Sequence, residues 1–160
     1  MKRTLVVVLV MTCLAPIAAA QTGGFAFIAP GQTRAFGQGE TTLHFGGGGK
    51  YITKSGLGFG AELGLIGFTQ AYSETDMGLF SLNGYYFFPV GSEKFKPFAT
   101  GGYSRSFGHS SGANIGNFGV GFDYWFKPRM GFMTEFRDHI HRTSGITFQI
   151  LEFRFGLTFK

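Results

Sequence analysis

Asn117-Phe118-Gly119-Val120-Gly121-Phe122-Asp123-Tyr124-Trp125-Phe126 changes character at almost every step. Phe118, Val120, Phe122, Tyr124 and Phe126 fall on one side of an extended chain, and Asn117, Gly119, Gly121 and Asp123 on the other. This period of two marks a strand, not a helix. The segment before the C-terminus repeats it: Leu151, Phe153, Phe155, Leu157 and Phe159 oppose Glu152, Arg154, Gly156 and Thr158. Between the two, Met130, Phe132 and Phe136 oppose Glu135, Arg137 and His139, and earlier Leu57, Phe59, Ala61, Leu63 and Leu65 oppose Gly58, Gly60, Glu62 and Gly64. The apolar faces are large and aromatic, while the polar faces hold glycines and single charges of both signs. Hydrocarbon outside and a narrow, filled interior account for both. A charge facing lipid at mid-depth costs ~2–4 kcal/mol, so the ionisable groups are expected to point inward.

Strands of about 9–11 residues suffice to cross a bilayer when tilted. Eight such segments follow residue 20, at roughly 23–30, 41–52, 56–67, 77–88, 96–107, 115–126, 130–140 and 147–159. No run reaches the length and apolarity of a spanning helix, and only a closed barrel lets strands pair every backbone group within lipid. The expected fold is all-β: an eight-stranded antiparallel up-and-down transmembrane β-barrel. Small glycines in the interior would leave room for large side chains from across it.

The connections alternate in kind. Thr53-Lys54-Ser55, Lys127-Pro128-Arg129 and Val90 to Phe95 are short and turn-like, and are expected at the periplasmic side. Gly31 to Glu40, Phe68 to Asp76, Gly108 to Asn114 and His141 to Gly145 are longer or more polar, and are expected outside. Aromatic residues favour headgroup level. Tyr51, Tyr85, Tyr86, Phe87, Phe88, Phe98, Tyr124, Trp125, Phe126, Phe132 and Phe159 would form a periplasmic girdle, with Phe68, Tyr72, Phe80 and Phe107 as a thinner outer belt.

Composition agrees with a lipid-facing surface. The 160 residues include 27 Gly and 21 Phe and are only 14% charged, where soluble proteins hold about 25%. Lys2 and Arg3, the apolar run Leu5 to Leu14 and Ala18-Ala19-Ala20 read as a signal peptide, so the division is 1–20 signal peptide and 21–160 barrel domain. The alternative, a lipoprotein box at Val10-Met11-Thr12-Cys13, has a poor residue in Thr12 before the cysteine. Cys13 is the sole cysteine, so the mature chain would hold neither a disulfide nor a Cys-based metal site. Without Lys2 and Arg3, 12 basic residues stand against 9 acidic ones, a net of +3 with no basic run. Nucleic acid is not an expected partner.

Gly58-Phe59-Gly60-Ala61-Glu62-Leu63-Gly64, Phe98-Ala99-Thr100-Gly101-Gly102-Tyr103, Glu135-Phe136-Arg137-Asp138-His139, Phe153-Arg154-Phe155-Gly156-Leu157-Thr158-Phe159 and the opening stretch together resemble the small outer-membrane β-barrel proteins of the OmpA-like and OmpX-like type. The resemblance covers most of the mature chain. It implies a cell outer-membrane location, a lipid surround that includes lipopolysaccharide, and passage through the barrel assembly machinery. The last strand is similar to the signal that machinery reads, although its aromatic, Phe159, is penultimate and Lys160 follows. Such barrels serve as anchors, adhesins and lipid enzymes, so the resemblance implies role less well than fold. No periplasmic domain is expected after the last strand.

Charges near the strand centres lead to the first functional expectation. His44, Glu62, Asp123, Glu135, Arg137, Glu152 and Arg154 would form a lumen ionic network that closes the barrel, because charges removed from water must be paired. Glu62, Glu135 and Glu152 outnumber the two arginines, and His44 could supply the missing partner. A gated ion path or proton relay is the functional alternative. Arg34, Arg105 and Arg142 would meet outer headgroups. The expected protein is a non-enzymatic monomer without cofactor, with a structural or surface-interaction role.

Two alternatives remain. Outer loops could make it an adhesin, though they are short and rich in Gly and Ser. A lipid A acyl hydrolase would use a His-x-Ser pair and a carboxylate, for which His109, Ser111 and Asp123 are candidates. Gly112 stands where that family has Asn, and Asp123 would lie roughly 30 Å from the hairpin tip at ~3.3 Å per residue. His139 and His141 share a strand face and, with His44, raise a metal site; a solvated loop end is the expected reading. Gly46 to Gly49 lacks the Gly-Lys-Ser/Thr ending and following helix of a phosphate loop.

Overall fold

The computed structural model describes residues 21–35, 38–68, 77–108, 112–143 and 146–160. Its eight strands are β1 (Gln21–Ala35), β2 (Gln38–Ile52), β3 (Leu57–Phe68), β4 (Met77–Phe87), β5 (Phe95–Gly108), β6 (Asn114–Lys127), β7 (Met130–Thr143) and β8 (Ile146–Phe159). Each pairs antiparallel with the next, and β1 pairs with β8, so the sheet closes into a barrel without an edge. No helix among the described residues is long and apolar enough to cross a membrane. The expected leader, Tyr72, the His109-Ser110-Ser111 stretch and the side chain of Phe68 lie outside the described residues.

Alternation carries through every strand. Phe59, Leu63, Leu82, Phe118, Val120 and Phe153 are more than half exposed on the outer wall, while their sequence neighbours Glu62, Ser81, Asn117, Glu152 and Arg154 are buried inside. This apolar wall girds a polar interior, the inverse of a soluble domain, and lipid is the solvent it fits.

At one end the connections are tight. Between β2 and β3, the Thr53 N–H and Oγ1 both donate to Leu57 O, each at 2.8 Å. Gly56 completes that turn with φ +84°, where a side chain would be strained. Both chain ends of the barrel, Gln21 and Phe159, lie at this end. At the other end two hairpins run further than expected: β1 and β2 stay paired to Ala35 and Gln38, and β7 and β8 to Thr143 and Ile146. Gly31 to Glu40 and His141 to Gly145 are therefore largely ladder, not loop. The sequence signal fades there because both faces of these hairpin ends meet a polar medium. Pro30, which has no N–H, sits where pairing of β1 with β8 lapses between Ile28 and Gly31.

The interior is layered along the barrel axis. Phe25, Phe27, Tyr85, Phe87, Phe98 and Met133 pack toward the tight-turn end. Ile66, Leu79, Ile115 and Ile150 pack toward the long-hairpin end. Glu62, Glu135, Arg137, Glu152 and Arg154 lie between these two apolar layers, and Lys50 and Asp123 lie with the aromatic one.

Candidate functional site

The centre of the lumen is built from inward positions of β2, β3, β7 and β8. Glu62 Oε1 accepts from Arg137 Nη1 at 2.7 Å and from Arg154 Nη1 at 2.9 Å. Arg137 also donates through Nε to Glu135 Oε1 at 2.7 Å, and Arg154 through Nε to Glu152 Oε2 at 3.0 Å. Glu152 Oε1 lies 2.9 Å from His44 Nδ1. The chain of contacts thus runs Glu135, Arg137, Glu62, Arg154, Glu152, His44, and every member is 3% exposed or less. The Arg154 guanidinium also stacks on Phe27, 4.2 Å from its centroid. A polar cluster adjoins it, in which Asn117 Nδ2 donates to Ser104 Oγ and Ser104 meets Ser81, both at 2.8 Å.

Two glycines make the room. A Cβ at Gly64 would stand 2.2 Å from His44 Nε2, and one at Gly119 would stand 2.8 Å from Glu135 Oε1. The larger groups occupy the space these residues leave.

Of the seven expected network residues, six come together and Asp123 does not. Asp123 accepts from Lys50 Nζ at 2.6 Å, one layer nearer the tight turns. Lys50 was not among the expected residues, yet it shares the inward parity of His44 along β2. Its ammonium lies 5.7, 5.3 and 5.4 Å from the centroids of Phe25, Phe87 and Phe98. Desolvation among three rings is offset by one short ion pair and by the negative ring faces.

Aromatic positions need correction. Tyr51, Tyr86, Phe88, Tyr124, Phe126, Phe132 and Phe159 face outward near the tight-turn end. Trp125, Tyr85, Phe87 and Phe98 do not: each is 8% exposed or less and packs inside. They alternate with the outward set, and the barrel mouth requires bulky side chains to fill it. Phe80 and Phe107 are exposed on the outer wall.

Arg34, Arg105 and Arg142 are exposed at the long-hairpin end, and Arg105 and Tyr103 both donate to Asn114 Oδ1. One carboxylate departs from the inward rule. Asp138 alternates with Arg137 and so lies on the outer wall, yet it is 4% exposed, covered in part by Gln149, whose amide donates to it at 2.6 Å.

The histidines divide. His141 Nδ1 contacts Asn114 O at 2.6 Å, near the hairpin end. His44 and His139 are buried and share Glu152, a grouping that strand spacing within β7 could not reveal. Asp123, the carboxylate of the hydrolase alternative, is held by Lys50 far down β6 from residues 109–111.

A family model described as "Outer membrane protein beta-barrel domain" matches residues 4–159. The chain belongs to this family. Solved structures agree in fold. Neisserial surface protein A superposes with a TM-score of 0.70 at 17% identity, covering 89% of this chain and 99% of that one. The N-terminal β-barrel domain of Pseudomonas aeruginosa OprF gives 0.53 at 17% identity, over 85% and 99% of the two chains. Ail, the attachment invasion locus protein of Yersinia pestis, in complex with the heparin analogue sucrose octasulfate, gives 0.55 at 12% identity, over 88% and 98%. No curated protein matches. As an outer-membrane barrel, the chain resides in the cell outer membrane with lipid around its wall. The tight-turn end is then periplasmic, and the buried salt bridges plug its lumen.

Proposed function

We propose that this barrel is a non-enzymatic, monomeric surface protein, delivered by cleavage after Ala20 and inserted by the barrel assembly machinery, that acts through its outer rim. The observation that carries the reading is the pairing of a plugged lumen with long hairpins whose outer end exposes Arg34, Arg105 and Arg142. Nothing is gained for transport by filling the bore with a desolvated ionic layer between two apolar ones. The long hairpins, in contrast, hold Arg34 and Arg142 out at headgroup level. These arginines and Arg105 would bind the phosphates of lipopolysaccharide, since guanidinium groups suit phosphate geometry.

A second reading keeps the same rim and gives it a soluble or cell-surface polyanion. The sulfated ligand named in the Ail structure supports this choice of chemistry. The test is binding of lipopolysaccharide and of sucrose octasulfate to the barrel in micelles, with Arg34→Gln, Arg105→Gln and Arg142→Gln combined. Loss of lipopolysaccharide binding alone supports the first reading, and loss of sulfate binding the second. Binding of both ligands unchanged by the triple variant would rule out the rim. Release of fatty acid from lipopolysaccharide, abolished by His109→Ala, would instead establish the hydrolase.

A further inference from the structure

Among the described residues, Glu62, Glu135 and Glu152 face only two guanidinium groups, Arg137 and Arg154, inside the central layer. The pairing of Lys50 with Asp123 is complete in itself and lends no charge. One negative charge is therefore left over, in a place that water reaches poorly. At one end of the network Glu152 meets two histidines. His44 Nδ1 is 2.9 Å from Glu152 Oε1, and His139 Nε2 is 3.6 Å from Glu152 Oε2. One ligand-competent atom from each of the three residues lies within 4.8 Å of the others.

We propose that His44, His139 and Glu152 form a buried binding site for a divalent transition metal of the zinc class. Three donors around a tetrahedral ion at ~2.0–2.1 Å stand about 3.3 Å apart, so donor atoms that lie within 4.8 Å of one another would close by up to about 1.5 Å on binding. Two imidazoles and a carboxylate suit zinc, copper and nickel better than the hard cations calcium and magnesium. Glu152 can serve with Oε1, the oxygen His44 meets, while Oε2 stays on Arg154 Nε and orients the carboxylate from behind; His139 Nε2, which faces Oε2, would turn toward the ion.

A proton on one imidazole would cancel the surplus charge, while a divalent ion would turn it into one positive charge, so charge does not select the ion and the hydrogen bonding has to. His44 Nε2 and His139 Nδ1 have no partner among the described residues. An imidazolium would leave a charged N–H unsatisfied there, and such a group costs more than a neutral one. Metal ligation uses the neutral ring and leaves a neutral N–H at those positions. Arg154 Nη2 approaches His139 Nε2 at 3.4 Å, and because arginine only donates, Nε2 carries a lone pair there, which a bound ion would take over from the guanidinium. The His44 ring is also fixed: Phe27 meets it edge-on at 4.9 Å, and the space beyond Nε2 exists because residue 64 is glycine.

The ion would join β2, β7 and β8 across β1 and stabilise the folded barrel by mass action. The test refolds untagged protein into detergent micelles with Co2+ as the probe, then removes free metal. Expected are one retained ion per chain with the visible absorption of a nitrogen and oxygen site, its loss in His44→Gln and in His139→Gln, and its retention in His141→Gln. Heat-modifiable migration on gels shows whether each variant is folded. Should a histidine variant fail to fold, Cu2+ loaded into the unaltered protein must show hyperfine coupling to two nitrogens by electron paramagnetic resonance. No retained metal, equal retention in the folded His44→Gln and His139→Gln variants, or absence of nitrogen coupling overturns the site.

Discussion

Replacing Asp123 by Ala would leave the Lys50 ammonium enclosed by Phe25, Phe87 and Phe98 with no counter-charge at 2.6 Å. Breaking a buried pair on one side costs about 3–5 kcal/mol, whereas replacing both members with apolar residues of similar volume is often neutral. Asp123→Ala should therefore lower the urea midpoint of unfolding far more than the pair Lys50→Met with Asp123→Leu. Equal losses would mean that the pair itself, not the stranded charge, carries the energy. This residue shows what could be read beforehand and what could not. Parity along β6 placed Asp123 inside correctly, and parity along β2 would have placed Lys50 there too. Which inward charges meet depends on their heights around a closed, staggered sheet, and one strand's alternation holds no information about that. Trp125 teaches the reverse lesson. Its aromatic character suggested a lipid girdle, while its parity with Asp123 pointed inward, and parity decided.

Along a strand, the balance between wall and lumen is set position by position. On β6, a Cβ at Gly119 would lie 2.6 Å from Phe136 O and 2.8 Å from Glu135 Oε1, so it would press on the backbone of β7 as well as on the ion network. Overpacking of this kind costs about 1–3 kcal/mol. Gly119→Ala should destabilise the barrel in that range, measured by denaturant titration in lipid vesicles. The next residue, Val120, is 59% exposed on the outer wall. Val120→Arg places a charge toward mid-bilayer and should cost about 2–4 kcal/mol, while Phe126→Arg, at the periplasmic end of the same strand, should cost about 0–1 kcal/mol. Equal costs would deny that β6 crosses hydrocarbon between these depths. The core of each strand was legible because two different media fix the two faces there. The outer reaches of β1 and β7 were not, since a ladder standing clear of the lipid needs no apolar face, and Gly and Gln within it imitate a loop.

Across the whole molecule, three interior layers stand in series between the periplasm and the outside. A vestibule of about 250 Å³ opens at the periplasmic mouth and reaches Asp123 and Trp125. Beyond it come the aromatic layer, the ion network and the cap of Ile66, Leu79, Ile115 and Ile150. Glu135→Ala removes one carboxylate from the middle layer and leaves Arg137 with Glu62 alone; Arg154→Ala leaves Glu152 with its histidines. Either change uncouples buried charges, and each should lower the temperature at which the barrel loses its heat-resistant gel mobility. Neither removes a side chain from the apolar layers on the two sides, although Arg154→Ala uncovers the ring of Phe27. Water and ions admitted to a vacated central cavity would still face rings below and branched aliphatic side chains above. Planar bilayer recordings of both variants should accordingly show no channels, with stability lost and closure kept. Steady single-channel openings in either variant would mean that the salt bridges alone seal the bore, and that the flanking layers yield once those bridges are cut.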